Sequence, residues 1–181
     1  YKIYHNTNGV LIKKGPINLN SEDNLGTFQN KNLELSNKID NINYNYGVSM
    51  WLWINPQPKS TSEAYNKSTN LLNYGDILNI EFNKNKLIFW AASNNNKVKL
   101  FELKNTPYQK WNNIVLNYNG GTLDIFINNK LVSSNINITP IIYSTEIISG
   151  ANNGINGGIK DLTYYNKILS KNDIYSIYTS E

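Results

Sequence analysis

The sequence predicts an all-β protein built as a two-sheet antiparallel sandwich, with a short helix near its carboxyl end. Short apolar runs alternate with asparagine- and glycine-rich turns along the chain, and a sandwich has this pattern of short strands and turns. Hydrophobic residues make up 40% of the chain, with Val, Ile, Leu, Tyr and Trp prominent, and these side chains suit a pleated, half-buried surface. The 181 residues fit one domain with one core, so we expect a single domain over residues 1–181.

The clearest strand runs from Val48 to Ile54. Its aliphatic residues alternate with Ser49, Trp51 and Trp53, so both faces of the strand are partly apolar. A strand with two such faces is expected near the centre of a sheet. Prolines then end it, and the polar stretch 59–70 is expected to be an exposed loop.

Successive hairpins follow this strand. The turns between them have the sequences Asn-Lys-Asn-Lys, Asn-Asn-Asn and Asn-Gly-Gly, whose residues favour tight turns. The predicted strands are Asp76–Phe82, Leu87–Trp90, Val98–Leu103, Ile114–Tyr118 and Leu123–Ile127.

Only the end of the chain has helical spacing. Ser170 stands three residues before Asp173, and Ile174, Ile177 and Tyr178 follow at intervals that share one helix face. We expect a capped helix whose apolar stripe packs on the domain's own core, because most amphipathic helices do so.

Composition excludes several classes of function. All 17 basic residues are lysine, and they are scattered along the chain, so neither a basic run nor the planar fork of arginine is present to bind nucleic acid. The absence of cysteine excludes disulfides, thiolate metal sites and a thiol nucleophile, and leaves the redox compartment open. No apolar run reaches the roughly 18 residues that span a bilayer, so we expect no membrane insertion.

Three stretches, taken in order, resemble the laminin G-like and concanavalin A-like family. They are VSMWLWINP (Val48–Pro56), WNNIVLNYNGGTLDIFINNKLVSS (Trp111–Ser134) and GGIKDLTYYNKILSKNDIYSIY (Gly157–Tyr178). The second is the most specific, although Asn129 stands where the family usually has glycine, a change that asparagine's tolerance of positive φ explains. The resemblance implies a jelly-roll sandwich. It does not select a ligand, because the receptor-binding part of clostridial neurotoxins has the same architecture.

One branch of this superfamily consists of glycoside hydrolases, which need two carboxylates beside the scissile bond. Here Glu81, Glu102, Asp124 and Asp161 are isolated, and none forms a pair along one strand. The lone histidine, His5, lies near the amino end without a nucleophile motif. We therefore expect that the protein is not an enzyme, and a glycoside hydrolase is the enzymatic alternative that stays open.

The resemblance also implies a possible calcium site, since calcium-binding members have a G-D-x-L pattern like the one at Asp76. The Ser93 carbonyl would be a second ligand. The family's further ligand would fall near Ile141, which cannot coordinate, with Ser144 and Asn137 close by. The alternative is that Asp76 is a turn residue that accepts local backbone hydrogen bonds.

Sugar recognition would use aromatic ring faces together with Asn and Asp hydrogen bonds. Trp53 and Trp111 match framework positions of the family, so we expect them to fill the core. The predicted sugar-binding residues are Trp51, Trp90, Tyr74 and Tyr118.

These observations favour a non-catalytic recognition module that binds a glycan or a surface protein. We expect it to be extracellular, on a cell surface or on a virion, as a segment of a larger protein. The alternative is a structural or assembly component of a virion or surface layer. The oligomeric state stays open.

Overall fold

A computed structural model describes residues 9–28, 45–59, 61–93, 96–139 and 144–180. In chain order the elements are β1 (Val10–Lys13), β2 (Ile17–Asn18), β3 (Asp23–Thr27), β4 (Asn45–Ile54), α1 (Glu63–Asn66), β5 (Thr69–Tyr74), β6 (Leu78–Asn83), β7 (Lys86–Ser93), β8 (Asn96–Leu103), β9 (Asn112–Asn119), β10 (Thr122–Ile127), β11 (Lys130–Asn135), β12 (Glu146–Ser149), β13 (Gly157–Tyr165) and α2 (Lys171–Tyr178).

The strands within the described ranges form two antiparallel sheets. The first has the order β1-β13-β4-β9-β10-β11, with β2 also paired to β13, and the second has the order β3-β12-β5-β6-β7-β8. Both sheets mix strands from distant parts of the chain, as a jelly roll does. The predicted all-β sandwich with a short C-terminal helix is therefore confirmed. The expectation of one domain over 1–181 also covers residues outside those described and stays a prediction.

The core lies between the sheets and follows from alternation along the strands. In β4, Val48, Met50, Leu52 and Ile54 are buried in it, so Trp51 and Trp53 point to the outer face of the first sheet. The central position predicted for this strand is confirmed, since β4 lies between β13 and β9.

Four tyrosines among the described residues are buried within this core. The ring of Tyr46 lies 5.3 Å from that of Tyr118 and 6.1 Å from that of Tyr164, and the Tyr118 hydroxyl donates to the carbonyl of Ile138 at 2.8 Å. Burial raises the pKa of Tyr46 and of Tyr74 above the usual range, so both stay neutral across the physiological range.

Helix α2 covers part of the outer face of the first sheet. Its residues Ile174 and Ile177, with Leu169, form a second apolar cluster with Val115 and Tyr165. Ser170 caps the helix: its side chain accepts from the Asp173 N–H, and the Asp173 carboxylate accepts from the Ser170 N–H. The predicted capped helix and its packing face are confirmed.

Two local predictions have different outcomes. Asn128 and Asn129 both have positive φ, 50° and 63°, so asparagine does replace glycine in the β10–β11 turn. The prediction that 59–70 is an exposed loop is wrong in part, because α1 forms within it and buries Ala64. No helix in the described ranges is long and apolar enough to cross a membrane.

Candidate carbohydrate-binding pocket

Strand register places two tryptophans and a glycine side by side on the outer face of the first sheet. Trp53 of β4 pairs with Gly158 of β13. On its other side β4 pairs with β9 up to Leu52 and Asn112, so Trp111, directly before β9, lies next to Trp53. Residues that pair directly across strands point to one face, and the row Trp111–Trp53–Gly158 therefore shares a surface.

The two indole rings form the walls of an open pocket. Their centroids are 5.7 Å apart and their planes are inclined by 60°, so they meet at an angle and do not stack. The pocket has a volume of about 360 Å³ and is lined by Pro16, Trp53, Asn55, Trp111, Asn156, Gly157 and Gly158. This volume lies within the range of small-molecule sites.

Glycine forms the floor of the pocket. A Cβ atom placed on Gly158 would lie 3.8 Å from Cη2 of Trp111 and 3.3 Å from the carbonyl oxygen of Ile17. Any side chain at this position would therefore project beside the Trp111 ring and reduce the pocket. The floor stays open because residue 158 has no side chain.

A network of amide side chains holds the polar rim. Trp53 Nε1 donates to Asn55 Oδ1 at 3.0 Å, and Asn55 Nδ2 donates to Asn156 Oδ1 at 3.1 Å. Gln57 holds the backbone of both asparagines. Its Nε2 donates to the backbone carbonyls of Asn55 and Asn156, and its Oε1 accepts from the Asn156 N–H. The rim is thus held in one arrangement before a ligand arrives.

A lysine connects the pocket to helix α2. The Lys160 ammonium lies 4.5 Å from the ring centroid of Trp111 and 5.9 Å from that of Trp51. Trp51 stacks on Tyr178 of the helix, with centroids 6.1 Å apart. Helix α2 therefore covers the row of side chains next to the pocket, and the row Trp111–Trp53–Gly158 stays open.

Comparison with known proteins matches a family model to most of the chain. Residues 26–175 match the model of the concanavalin A-like lectin/glucanases superfamily. The chain belongs to this superfamily.

Among curated proteins, the chain is similar to the non-toxic nonhemagglutinin type E of Clostridium botulinum, with 29% identity over 159 residues. That match covers 86% of this chain and 13% of the relative, so the chain spans a small part of that protein's length.

Among solved structures, the superfamily domain is similar to receptor-binding domains of botulinum neurotoxins. The domain of neurotoxin D matches with a TM-score of 0.65 and 18% identity, over 79% of this chain and 39% of that one. The serotype D ligand-binding domain in complex with N-acetylneuraminic acid matches with a TM-score of 0.63 and 17% identity, over 76% and 36%. At this identity the likeness shows the fold.

The structure separates the four aromatic residues that the sequence predicted to bind sugar. Trp51 is 7% exposed beneath Tyr178, and Trp90 lies on the second sheet with the Lys97 ammonium 4.7 Å from its ring. The prediction is wrong for Tyr74 and Tyr118, which are 0% and 2% exposed in the core of this concanavalin A-like domain. No ligand at the surface can stack on their rings.

The expectation that Trp53 and Trp111 fill the core is wrong. Both are partly exposed, because their row lies on the outer face beyond the end of α2. Alternation along β4 places Trp53 on the face opposite to the buried residues, so the sequence contained a signal that Trp53 lies outside the core. The consecutive glycines 157 and 158 within a strand were a second signal, since glycine in a strand marks a close approach or an open surface.

Asp76, the first residue predicted to bind calcium, lies in a turn with Asn73. Asn73 Nδ2 donates to Asp76 Oδ1 at 2.7 Å, and the Asp76 N–H donates to Asn73 Oδ1 at 2.8 Å. Leu78 pairs with Ala91, so the end of β7 at Ser93 lies toward Asp76.

These oxygens fit only a weak calcium site. No cluster of three His, Cys, Asp or Glu suited to a metal occurs in the described ranges, and calcium takes six to eight oxygens. A calcium ion here would need water for most of its ligands, and the site stays a prediction. Ile141 and His5 lie outside the described residues.

Strand register brings Glu81 and Glu102 to the same face of the second sheet. Spacing along a single strand cannot show this relationship, because the two residues lie on different strands. Ile88 of β7 pairs with Glu81 on one side and with Glu102 on the other, so the two glutamates are separated by two strand spacings, about 10 Å. Glu81 contacts Lys97 at 2.6 Å, and Glu102 contacts Lys86 at 2.9 Å. Both carboxylates are thus held in ion pairs on the second sheet.

Proposed function

We propose that this domain is a non-catalytic recognition module that binds a glycan in the pocket between Trp53 and Trp111. One observation carries the proposal: two inclined indole rings, an open glycine floor and a fixed amide rim lie together on one surface. Sugars present flat apolar faces and hydroxyl groups together, and aromatic rings with convergent amides match both.

The relatives support the same class of function. One structurally similar domain is the serotype D ligand-binding domain in complex with N-acetylneuraminic acid, and others are receptor-binding domains of botulinum neurotoxins. By analogy with them, this module would act outside the cell or at a surface, where it meets a glycan or a glycosylated protein. A structural or assembly role, the alternative, stays a prediction.

Glu81 and Glu102, the two carboxylates that register brings to one face, are unsuited to act as a glycosidase pair. Burial alone would raise the pKa of Glu81, but hydrogen bonds from Lys97 and Ser68 outweigh it and lower that pKa. The hydrogen bond from Lys86 likewise lowers the pKa of Glu102. A glycosidase needs one carboxyl that stays protonated near neutral pH, and two depressed pKa values do not provide a general acid.

A glycan array with the domain, followed by calorimetry on any ligand found, tests the proposal. We expect Trp111→Ala and Trp53→Ala each to weaken binding at least tenfold, about 1.4 kcal/mol. Trp90→Ala is the matched control, because it removes a partly exposed indole from the second sheet. Binding that survives both pocket variants, or that only Trp90→Ala removes, would place the site elsewhere.

A further inference from the structure

An asparagine followed by a glycine can modify itself, because glycine has no side chain to hinder its own backbone nitrogen. That nitrogen can attack the side-chain amide carbon of the asparagine. Three such pairs begin within the described residues, at Asn119, Asn153 and Asn156, and the pair at 8–9 begins outside them. All three asparagines have the same residue as the attacking partner, so a large difference in reactivity between them comes from the fold.

The reaction is a deamidation that needs only water. The glycine nitrogen loses its proton and forms a bond to the asparagine Cγ, the Cγ–Nδ2 bond breaks, and Nδ2 leaves as ammonia. A five-membered succinimide ring remains, and water opens either of its carbonyl–nitrogen bonds to give aspartate or isoaspartate. The reaction therefore requires that the glycine N–H is free of an acceptor and that the asparagine side chain can turn toward it.

Asn119 meets both requirements. It is exposed, and neither its side chain nor the Gly120 N–H makes a hydrogen bond within the described part of the chain. Gly120 and Gly121 have φ of 50° and 104° and form a two-residue hairpin turn, in which the first N–H lies outside the ladder. A Cβ atom on either glycine would meet no atom of the described residues within 4 Å, so the turn is open to solvent.

The backbone of Asn119 has to move before the ring can close. Asn119 is the last residue of β9, and it pairs with Thr122 and with Asn45. These partners are the first residues of β10 and β4, so all three lie at strand ends. Strand ends open locally for much less than the free energy of global unfolding. The pairing therefore slows the reaction at this position without preventing it.

At Asn153 the attacking nitrogen is occupied. The Gly154 N–H donates to the carbonyl of Ala151 at 2.8 Å and to that of Asn20 at 3.3 Å. A Cβ atom on Gly154 would collide with the carbonyl oxygen of Leu19, so the loop packs tightly around this glycine. The nitrogen cannot lose its proton until both bonds break, and the pair at 153 is therefore protected.

At Asn156 the asparagine itself is held. Its Oδ1 accepts from Asn55 Nδ2 at 3.1 Å, its N–H donates to Gln57 Oε1 at 3.1 Å, and its carbonyl accepts from the Asn55 N–H at 2.9 Å. Gly157, the attacking partner, already belongs to β13 and pairs with Ile54. Rotation of the side chain toward Gly157 would break the bond from Asn55. The amide rim of the pocket therefore protects its own asparagine.

We propose that the fold directs spontaneous deamidation to Asn119 and protects the rim of the pocket from it. The reaction replaces a neutral amide by a carboxylate, so it lowers the formal net charge of +4 by one. Asn119 ends β9, whereas Trp111 stands directly before the first residue of that strand. The modified residue thus lies at the opposite end of the strand from the pocket, and the proposal does not depend on which ligand the pocket binds.

Peptide mapping by mass spectrometry tests the proposal without any ligand. The folded domain and the domain unfolded in guanidinium chloride are incubated side by side in mildly alkaline buffer, and the aspartate and isoaspartate formed at each pair are followed over time. In the unfolded chain the three pairs should react at similar rates. In the folded domain Asn119 should react at least tenfold faster than Asn153 and Asn156. Equal rates in the folded domain, or a faster reaction at either of the other two, would overturn the proposal.

The variant Asn55→Asp tests the protection by the rim. The new carboxylate can still accept from Trp53 Nε1 but has no hydrogen to donate to Asn156, so Asn156 should deamidate at least threefold faster than in wild type. Asn24→Asp is the matched control, because it makes the same change at an exposed position on the second sheet. Asn153 stays slow only while the domain is folded, so its rate reports the fold of each variant. An unchanged rate at Asn156, or an equal rise in the control, would show that the rim does not protect it.

Discussion

Trp51 stacks on Tyr178, with ring centroids 6.1 Å apart and planes inclined by 20°. Trp51 stands two residues before Trp53 on the same face of β4, yet it is covered and Trp53 is open to a ligand. The difference comes from the end of α2, which reaches the row of Trp51 and stops short of the pocket. The helix therefore sets the boundary of the proposed binding surface.

This contact predicts a stability effect. Tyr178→Ala should lower the free energy of unfolding by about 1 kcal/mol, because it removes an aromatic pair. Tyr175→Ala, on the same helix and 57% exposed, should change it by less than about 0.5 kcal/mol. Urea unfolding measures both. Equal losses from the two variants would show that the stack adds nothing beyond helix propensity.

The helix cap predicts a pH dependence. Burial alone would raise the pKa of Asp173, but hydrogen bonds from Ser170 and the Lys167 ammonium 3.5 Å away outweigh it, so this pKa is lowered. A carboxylate whose pKa is lower in the folded protein than in the unfolded chain stabilises the fold at pH values above its unfolded pKa, about 3.9. This stabilisation disappears as the pH falls through the lower pKa of the folded protein. The stability difference between wild type and Asp173→Asn should therefore be constant above about pH 5 and shrink below about pH 4.

Urea unfolding of both proteins at successive pH values between 6 and 3 measures this difference. Glu81 and Glu102 also have lowered pKa values, so each protein alone loses stability in acid. Only the difference between them reports on Asp173. A difference that stays the same over the whole range would contradict the role of its charge in the cap.

Local patterns in the sequence predicted much of the fold. Alternation in β4 predicted a strand near the centre of a sheet, the spacing of Ser170 and Asp173 predicted the cap, and the asparagines at 128 and 129 predicted a tight turn. Each signal depends on residues close together in the chain. Such residues belong to one strand, helix or turn, so the local structure that they form can be predicted without knowing the fold.

The pocket depends on relationships that no local pattern contains. Trp53 pairs with Gly158 across more than half the chain, and only that register shows that the glycine opens a floor. Whether Trp51 or Trp53 is exposed depends on where α2 packs on the first sheet. The partner of the Tyr118 hydroxyl could not be predicted either, because only the fold brings the backbone carbonyl of Ile138 near it.

Calcium should have a small effect on this domain. Of the calcium ligands predicted here, only Asp76 has a carboxylate, and it already accepts from Asn73, so we expect a dissociation constant of roughly 10⁻⁴ to 10⁻³ M. With free calcium near that value the stabilisation is about 0.4 kcal/mol, and the melting temperature should rise by no more than about 1 to 2 °C. Thermal melts with calcium and with chelator measure the shift.

Calorimetric titration of wild type and Asp76→Ala with calcium then decides whether Asp76 is a ligand. Loss of the binding heat in the variant would support the site. An unchanged heat would show that the aspartate serves the turn alone.

The β10–β11 turn predicts different roles for its two asparagines. Asn128 Oδ1 accepts from the Asn113 N–H at 2.9 Å, and its Nδ2 donates to Asn112 Oδ1 at 3.0 Å. Asn128→Gly keeps the positive φ but removes both bonds, so it should lower the free energy of unfolding by about 1 to 2 kcal/mol. Asn129 also has positive φ, which glycine adopts freely, and Asn129→Gly should stay within about 0.5 kcal/mol of wild type. Urea unfolding of the pair measures the contrast, and equal losses would mean that backbone conformation alone holds the turn.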